Sequence, residues 1–144
     1  MTRTQKNGFS LIEVLVALVI IAIMGSVVAL NLVGTTDEAN ITSTRAEINT
    51  LAGALTLYQS QQGVLPSQQQ GLEALVRAPT TPPAPPRYPQ GGYLTSREVP
   101  TDAWGRPYVY LIPGRENEPF ELISYGADGL EGGTGANADL SSAD

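Results

Sequence analysis

The chain has 144 residues, with eight Lys and Arg against 14 Asp and Glu, and neither Cys nor His. That length suits one domain, the missing cysteines exclude disulfide staples, and a net charge of −6 without a basic patch argues against nucleic acid as main partner. No serine stands beside a plausible base, so catalysis lacks a nucleophile–base pair and a non-enzyme is expected.

Residues 1–8 are polar and basic and end in Lys6-Asn7-Gly8. The next 25 residues, 9–33, are apolar apart from Glu13 and Asn31, with Ser10 and Ser26 mildly polar. Such a run exceeds the roughly 20 residues that cross a hydrocarbon core. Arg3 and Lys6 place the leader in the cytoplasm and the remainder across the membrane. A carboxylate inside such a segment costs on the order of 2.5–3.5 kcal/mol, which marks Glu13 as functional. An ordinary secretory signal would have a shorter apolar region, about 7–15 residues, with no acid inside it.

Beyond residue 33 the composition changes. Thr35 and Glu38 have capping-box spacing, and Gly34 is a local weak point. Ile41, Ile48, Leu51, Leu55 and Tyr58 then recur as one face of an amphipathic helix. As a single rod, residues 9–58 would extend about 75 Å. Gly63 and Pro66 end it, and Ser67 with Gln70 repeats the capping-box spacing to open a short helix over 68–77. Residues 79–89 carry six prolines and predict an extended, polyproline-like surface loop. Trp104, between Ala103 and Gly105, predicts a core anchor at a turn. Residues 108–112 and 120–124 are β-rich runs divided by a polar turn, which predicts an antiparallel hairpin. The tail 126–144 is rich in Gly and acids and holds almost nothing to pack.

The N-terminus resembles the class III signal of type IV pilins and pseudopilins. Gly8, Phe9 and Glu13 match its key positions: cleavage after Gly8, N-methylation of Phe9, and a carboxylate fifth in the mature chain. The resemblance implies that Glu13 meets the Phe9 amine of a neighbouring subunit, so that a buried charge becomes a register mark. Three later stretches resemble the major pseudopilin family of type II secretion systems. They are Leu65-Pro66-Ser67 with residues 70–76, the motif Asp102-Ala103-Trp104-Gly105-Arg106-Pro107-Tyr108, and Tyr125-Gly126-Ala127-Asp128-Gly129 with Glu131-Gly132-Gly133. The family usually has a proline before the position of Asn31, where this chain has Leu30.

The resemblance implies an α+β, type IV pilin-like fold, in which a long N-terminal helix packs on a small antiparallel sheet with a calcium-binding C-terminal loop. It divides the chain into a cleaved leader (1–8), a transmembrane and fibre-core helix (9–33) and a periplasmic domain (34–144). Calcium would be held by the Tyr125 carbonyl, Asp128, Asn137 and Asp139, oxygen donors of the kind that ion takes. With the leader removed, six Arg would face the 14 acids. The implied function is a structural subunit, anchored in the inner membrane by one span. It would polymerise into a periplasmic pseudopilus that drives folded proteins across the outer membrane. Implied partners are further copies, minor pseudopilins, a prepilin peptidase and the inner-membrane assembly platform. The alternatives are a type IV pilin for adhesion, motility or DNA uptake, which often has a cysteine-closed loop, and a signal-anchored domain that never polymerises.

Overall fold

The computed structural model describes residues 10–144, without the side chains of 25–35. The chain divides into two compact units, Met1–Thr36 and Asp37–Asp144. One helix, α1, runs Leu11–Gln62. The capping-box spacing at Thr35 does not start a new helix, and the backbone stays helical through Leu30 and Gly34. α1 contains no proline to break the ladder, which permits that continuity although β-branched residues are frequent along it.

In the first unit the α1 side chains from Leu11 to Met24 are exposed all round, with Leu11 at 88% and Met24 at 68%. Among the described residues no helix is long and apolar enough to cross a membrane. The expected span, 9–33, lies partly outside those residues, as do Gly8 and Phe9 altogether.

The second unit has a core of its own. Ile48, Leu51, Leu55 and Tyr58 are essentially inaccessible, with Ile41 partly buried beside them, so the helical stripe faces inward as its spacing predicts. Each such buried side chain contributes about 1.5–3 kcal/mol. Gly63, at φ +77°, donates its amide to the Gln59 carbonyl and ends α1 in the left-handed conformation that glycine adopts freely.

The predicted short helix is a 3-10 turn, Gly71–Leu75, rather than an α-helix over 68–77. The Ser67–Gln70 bonds do form: the Ser67 amide donates to Gln70 Oε1 at 2.9 Å, and the Gln70 amide to Ser67 Oγ at 3.3 Å. Gln70 also donates from Nε2 to the carbonyls of Thr81 and Pro83, which ties down the proline-rich stretch. That stretch bends at 81–83 and 86–87 and carries a cis peptide between Pro82 and Pro83, so it is not the continuous extended segment expected.

The hairpin is present. Strands β1 (Val109–Leu111) and β2 (Glu121–Ser124) pair antiparallel, with Tyr110 opposite Leu122. A third strand, β3 (Leu140–Ser141), pairs with β2 and makes the order β1-β2-β3. The tail therefore packs after all. Leu140, 3% exposed, joins the core, and a second 3-10 turn, Gly135–Asn137, precedes it. Two strand residues are too few to show a period, which is why the pattern missed them. The result is the expected α+β fold, a long helix against a three-stranded antiparallel sheet.

Candidate functional site

The turn at 101–107 is built around one carboxylate. Asp102, 5% exposed, accepts from the amides of Trp104 (3.0 Å) and Arg106 (2.8 Å) through Oδ1. Its Oδ2 accepts from Ser124 Oγ at 2.7 Å, which joins the turn to the end of β2. The Ala103 amide donates to Thr44 Oγ1 at 3.2 Å, so the buried Thr44 fixes the same turn to α1. Trp104 is half-buried against the core, the anchoring position expected of it.

From that turn Arg106 reaches into the C-terminal loop. Its Nη1 donates to the carbonyls of Gly126 (2.9 Å) and Ala127 (2.6 Å). The loop closes on itself through the Ala127 amide and the Ala136 carbonyl at 2.8 Å. Gly126, at φ +60°, lies so near this crossing that a Cβ would meet the Ala136 carbonyl oxygen at 2.7 Å.

The four residues expected to hold calcium fall on this one loop. The Tyr125 carbonyl accepts from the Gly129 amide at 3.1 Å. Asp128 Oδ1 accepts from the Leu130 amide at 3.0 Å, and both Asp139 oxygens accept from the Gly132 amide, at 3.0 and 3.1 Å. The Asn137 amide donates to the Thr134 carbonyl at 3.2 Å. The donor chemistry fits a hard cation, since every candidate atom is oxygen. Among the described residues no group of three or more acidic, His or Cys side chains is placed to hold a metal ion. Calcium would therefore depend on carbonyl and amide oxygens beside two carboxylates.

The other side of the sheet carries a second buried acid. Glu121 on β2, its side chain 3% exposed, pairs with Arg115 at 2.6 Å. It also accepts from the Arg115 amide (2.9 Å) and from Ser141 Oγ on β3 (2.7 Å). The Arg115 side-chain hydrogen bonds hold the Glu121 carboxyl down at about 2, against the penalty of burial. The same bonds push Arg115 up.

Glu13 is exposed on α1 between apolar neighbours, with its amide bonded to Ser10. Its expected partner, the Phe9 amine, lies outside the described residues.

Residue patterns alone passed over Arg106, Thr44, Glu121 and Arg115. Glu121 had a signal, since an acid inside an apolar β-run needs a partner once buried. Arg106 had none, because its carbonyl partners lie 20 and 21 positions further along the chain.

Comparison with known proteins bears on the family and the fold. The family model for type II secretion system protein G matches residues 31–143, and that for the prokaryotic N-terminal methylation motif matches 3–29. The type II secretion system core protein G of Pseudomonas aeruginosa is 44% identical over 140 residues, 97% of this chain and 96% of that protein. That of Vibrio cholerae is 41% identical over 136 residues, 94% of this chain and 90% of its own. The crystal structure of the major pseudopilin from the type 2 secretion system of enterohaemorrhagic Escherichia coli matches with a TM-score of 0.64 at 33% identity. It covers 78% of this chain and 93% of that one.

Proposed function

The chain belongs to the type II secretion system protein G family, and we propose that it is the structural subunit of a periplasmic pseudopilus that drives folded proteins across the outer membrane. One observation carries the reading: an exposed apolar sleeve from Leu11 to Met24 precedes a domain that already has its own core. Apolar surface of that extent has to be covered. Lipid covers it before assembly, and the sleeves of other copies cover it in the fibre.

Within this reading the leader is cut after Gly8 by a prepilin peptidase, and Phe9 is methylated. The subunit waits in the inner membrane with its C-terminal domain in the periplasm. The Phe9 amine and Glu13 of adjacent copies then set the axial register. Minor pseudopilins and an inner-membrane assembly platform are the further partners. Calcium, where bound, adds a crosslink between the two limbs of the C-terminal loop, through Tyr125, Asp128, Asn137 and Asp139. The role is structural and involves no catalysis.

Deletion of the gene in its native host tests the proposal. Exoproteins held in the periplasm, with motility and DNA uptake intact, are the expected result. An unchanged supernatant with motility or uptake lost would make the chain a type IV pilin.

A further inference from the structure

We propose that Arg106 is a positioning residue that holds the C-terminal loop closed without any bound ion. The base of its side chain is fixed at both backbone atoms: the Arg106 amide donates to Asp102 Oδ1 at 2.8 Å, and its carbonyl accepts from the Asp102 amide at 2.8 Å. The turn carrying it is tied to α1 through Ala103 and Thr44. From this fixed origin the guanidinium donates to two successive loop carbonyls, Gly126 and Ala127.

The same turn also holds the loop by a second route. Asp102 Oδ2 accepts from Ser124 Oγ, and that oxygen accepts from the Gly126 amide at 3.3 Å. Donor and acceptor groups of the loop entrance are thus both engaged from one turn. Two adjacent carbonyls facing one cation is an arrangement that metal loops obtain from an ion. Here a guanidinium supplies the charge. Gly129 makes room for it: a Cβ there would come within 2.5 Å of Arg106 Nε.

Arg106 acts independently of calcium, because the carbonyls it engages, Gly126 and Ala127, are not among the proposed calcium donors. It gives the loop a standing closure, to which calcium would add rather than one it must create.

Hydrogen exchange on the full chain in detergent, in chelator, tests it. The loop amides of Ala127, Gly129 and Gly132 report on closure, and those of Leu51 and Leu55, inside α1, report on the core. In Arg106→Gln the loop amides should exchange on the order of tenfold to a hundredfold faster, with the core unchanged. Arg106→Lys, which keeps a cation but loses the planar fork, should recover part of the protection. Unchanged loop protection in Arg106→Gln would overturn the proposal. So would loss of core and loop together in both variants, since Arg106 would then hold the domain rather than the loop. A calcium arm keeps the two readings apart. If calcium alters neither the parent nor the variant while Arg106→Gln opens the loop, the calcium reading fails and the role of Arg106 stands.

Discussion

Arg115 and Glu121 form an ion pair of which one member is in water and the other is not: their side chains are 43% and 3% exposed, at 2.6 Å. The pair joins the β1–β2 turn to the central strand, and Ser141 Oγ extends it to β3. Glu121 has a folded-state value of about 2 against an ordinary 4.5, so the unfolded chain binds the proton more readily. The stabilisation is therefore complete above about pH 4.5 and is lost as pH falls towards 2. Because Arg115 is partly solvated, about 2 kcal/mol is expected rather than the full value of the shift. Urea titrations at pH 7 and pH 3 measure it. Arg115→Ala should be destabilised by a similar amount at pH 7 and should show a smaller loss on acidification. An equal acid loss in the variant would place the titrating group elsewhere.

Asp102 carries a heavier load than any one of its bonds. Its carboxylate satisfies two backbone amides and the Ser124 hydroxyl, all at the junction of the turn with the sheet. Asp102→Ala leaves those donors in a site too closed for ready hydration, at about 3 kcal/mol. For a unit of this size the melting midpoint should drop by about 10–20 °C. Thermal denaturation followed by circular dichroism decides it, and a drop of about 2 °C or less would mean that water or a neighbouring acceptor replaces the carboxylate.

The inward stripe of α1 was legible because helical spacing repeats over several turns: Ile48, Leu51, Leu55 and Tyr58 all turned out buried. The β1–β2 hairpin was legible from two β-rich runs around a polar turn. What escaped was either short or non-local. β3 is two residues long. Thr44 falls on the buried face of α1 by the same spacing, four positions before Ile48, but that its hydroxyl serves Ala103, 59 positions away, is a non-local fact that spacing along one helix cannot show. The Ser67–Gln70 capping pattern was legible as a bond pair but not as a length. Its bonds form, yet the helix they open is a single 3-10 turn. The candidate metal loop was legible only through family resemblance, since its acids are sparse and follow no general cation motif.

Calcium can be tested on stability independently of fibre formation. An ion that binds only the folded state adds about 2.7 kcal/mol at 100 times its dissociation constant. Melting the full chain in detergent with millimolar calcium and with chelator should separate the midpoints by about 10 °C or more. Asp128→Ala should remove the difference, because one of two carboxylates is lost. Coincident curves for the parent chain at millimolar calcium would exclude a useful affinity.

Glu13 lies between Ile12 and Val14, exposed apolar side chains at 67% and 49%, at the start of the sleeve that the fibre reading buries. A carboxylate there is unfavourable in lipid or a packed bundle unless an opposite charge meets it, and removing one partner of such a pair commonly costs about 3–5 kcal/mol. Glu13→Ala should still be cut after Gly8 and inserted, since neither step uses the carboxylate in this reading, but its subunits should assemble poorly. The absence of native cysteine makes the assay clean. With Val16→Cys introduced into both chains, oxidative cross-linking of isolated membranes reports contacts between first helical turns and nothing else. A disulfide-linked dimer from the Glu13 parent, the largest product one thiol per chain allows, and mostly monomer from Glu13→Ala are the expected pair of results. Equal yields of dimer would mean that the apolar sleeve alone sets the register, and the Phe9–Glu13 contact would lose its role.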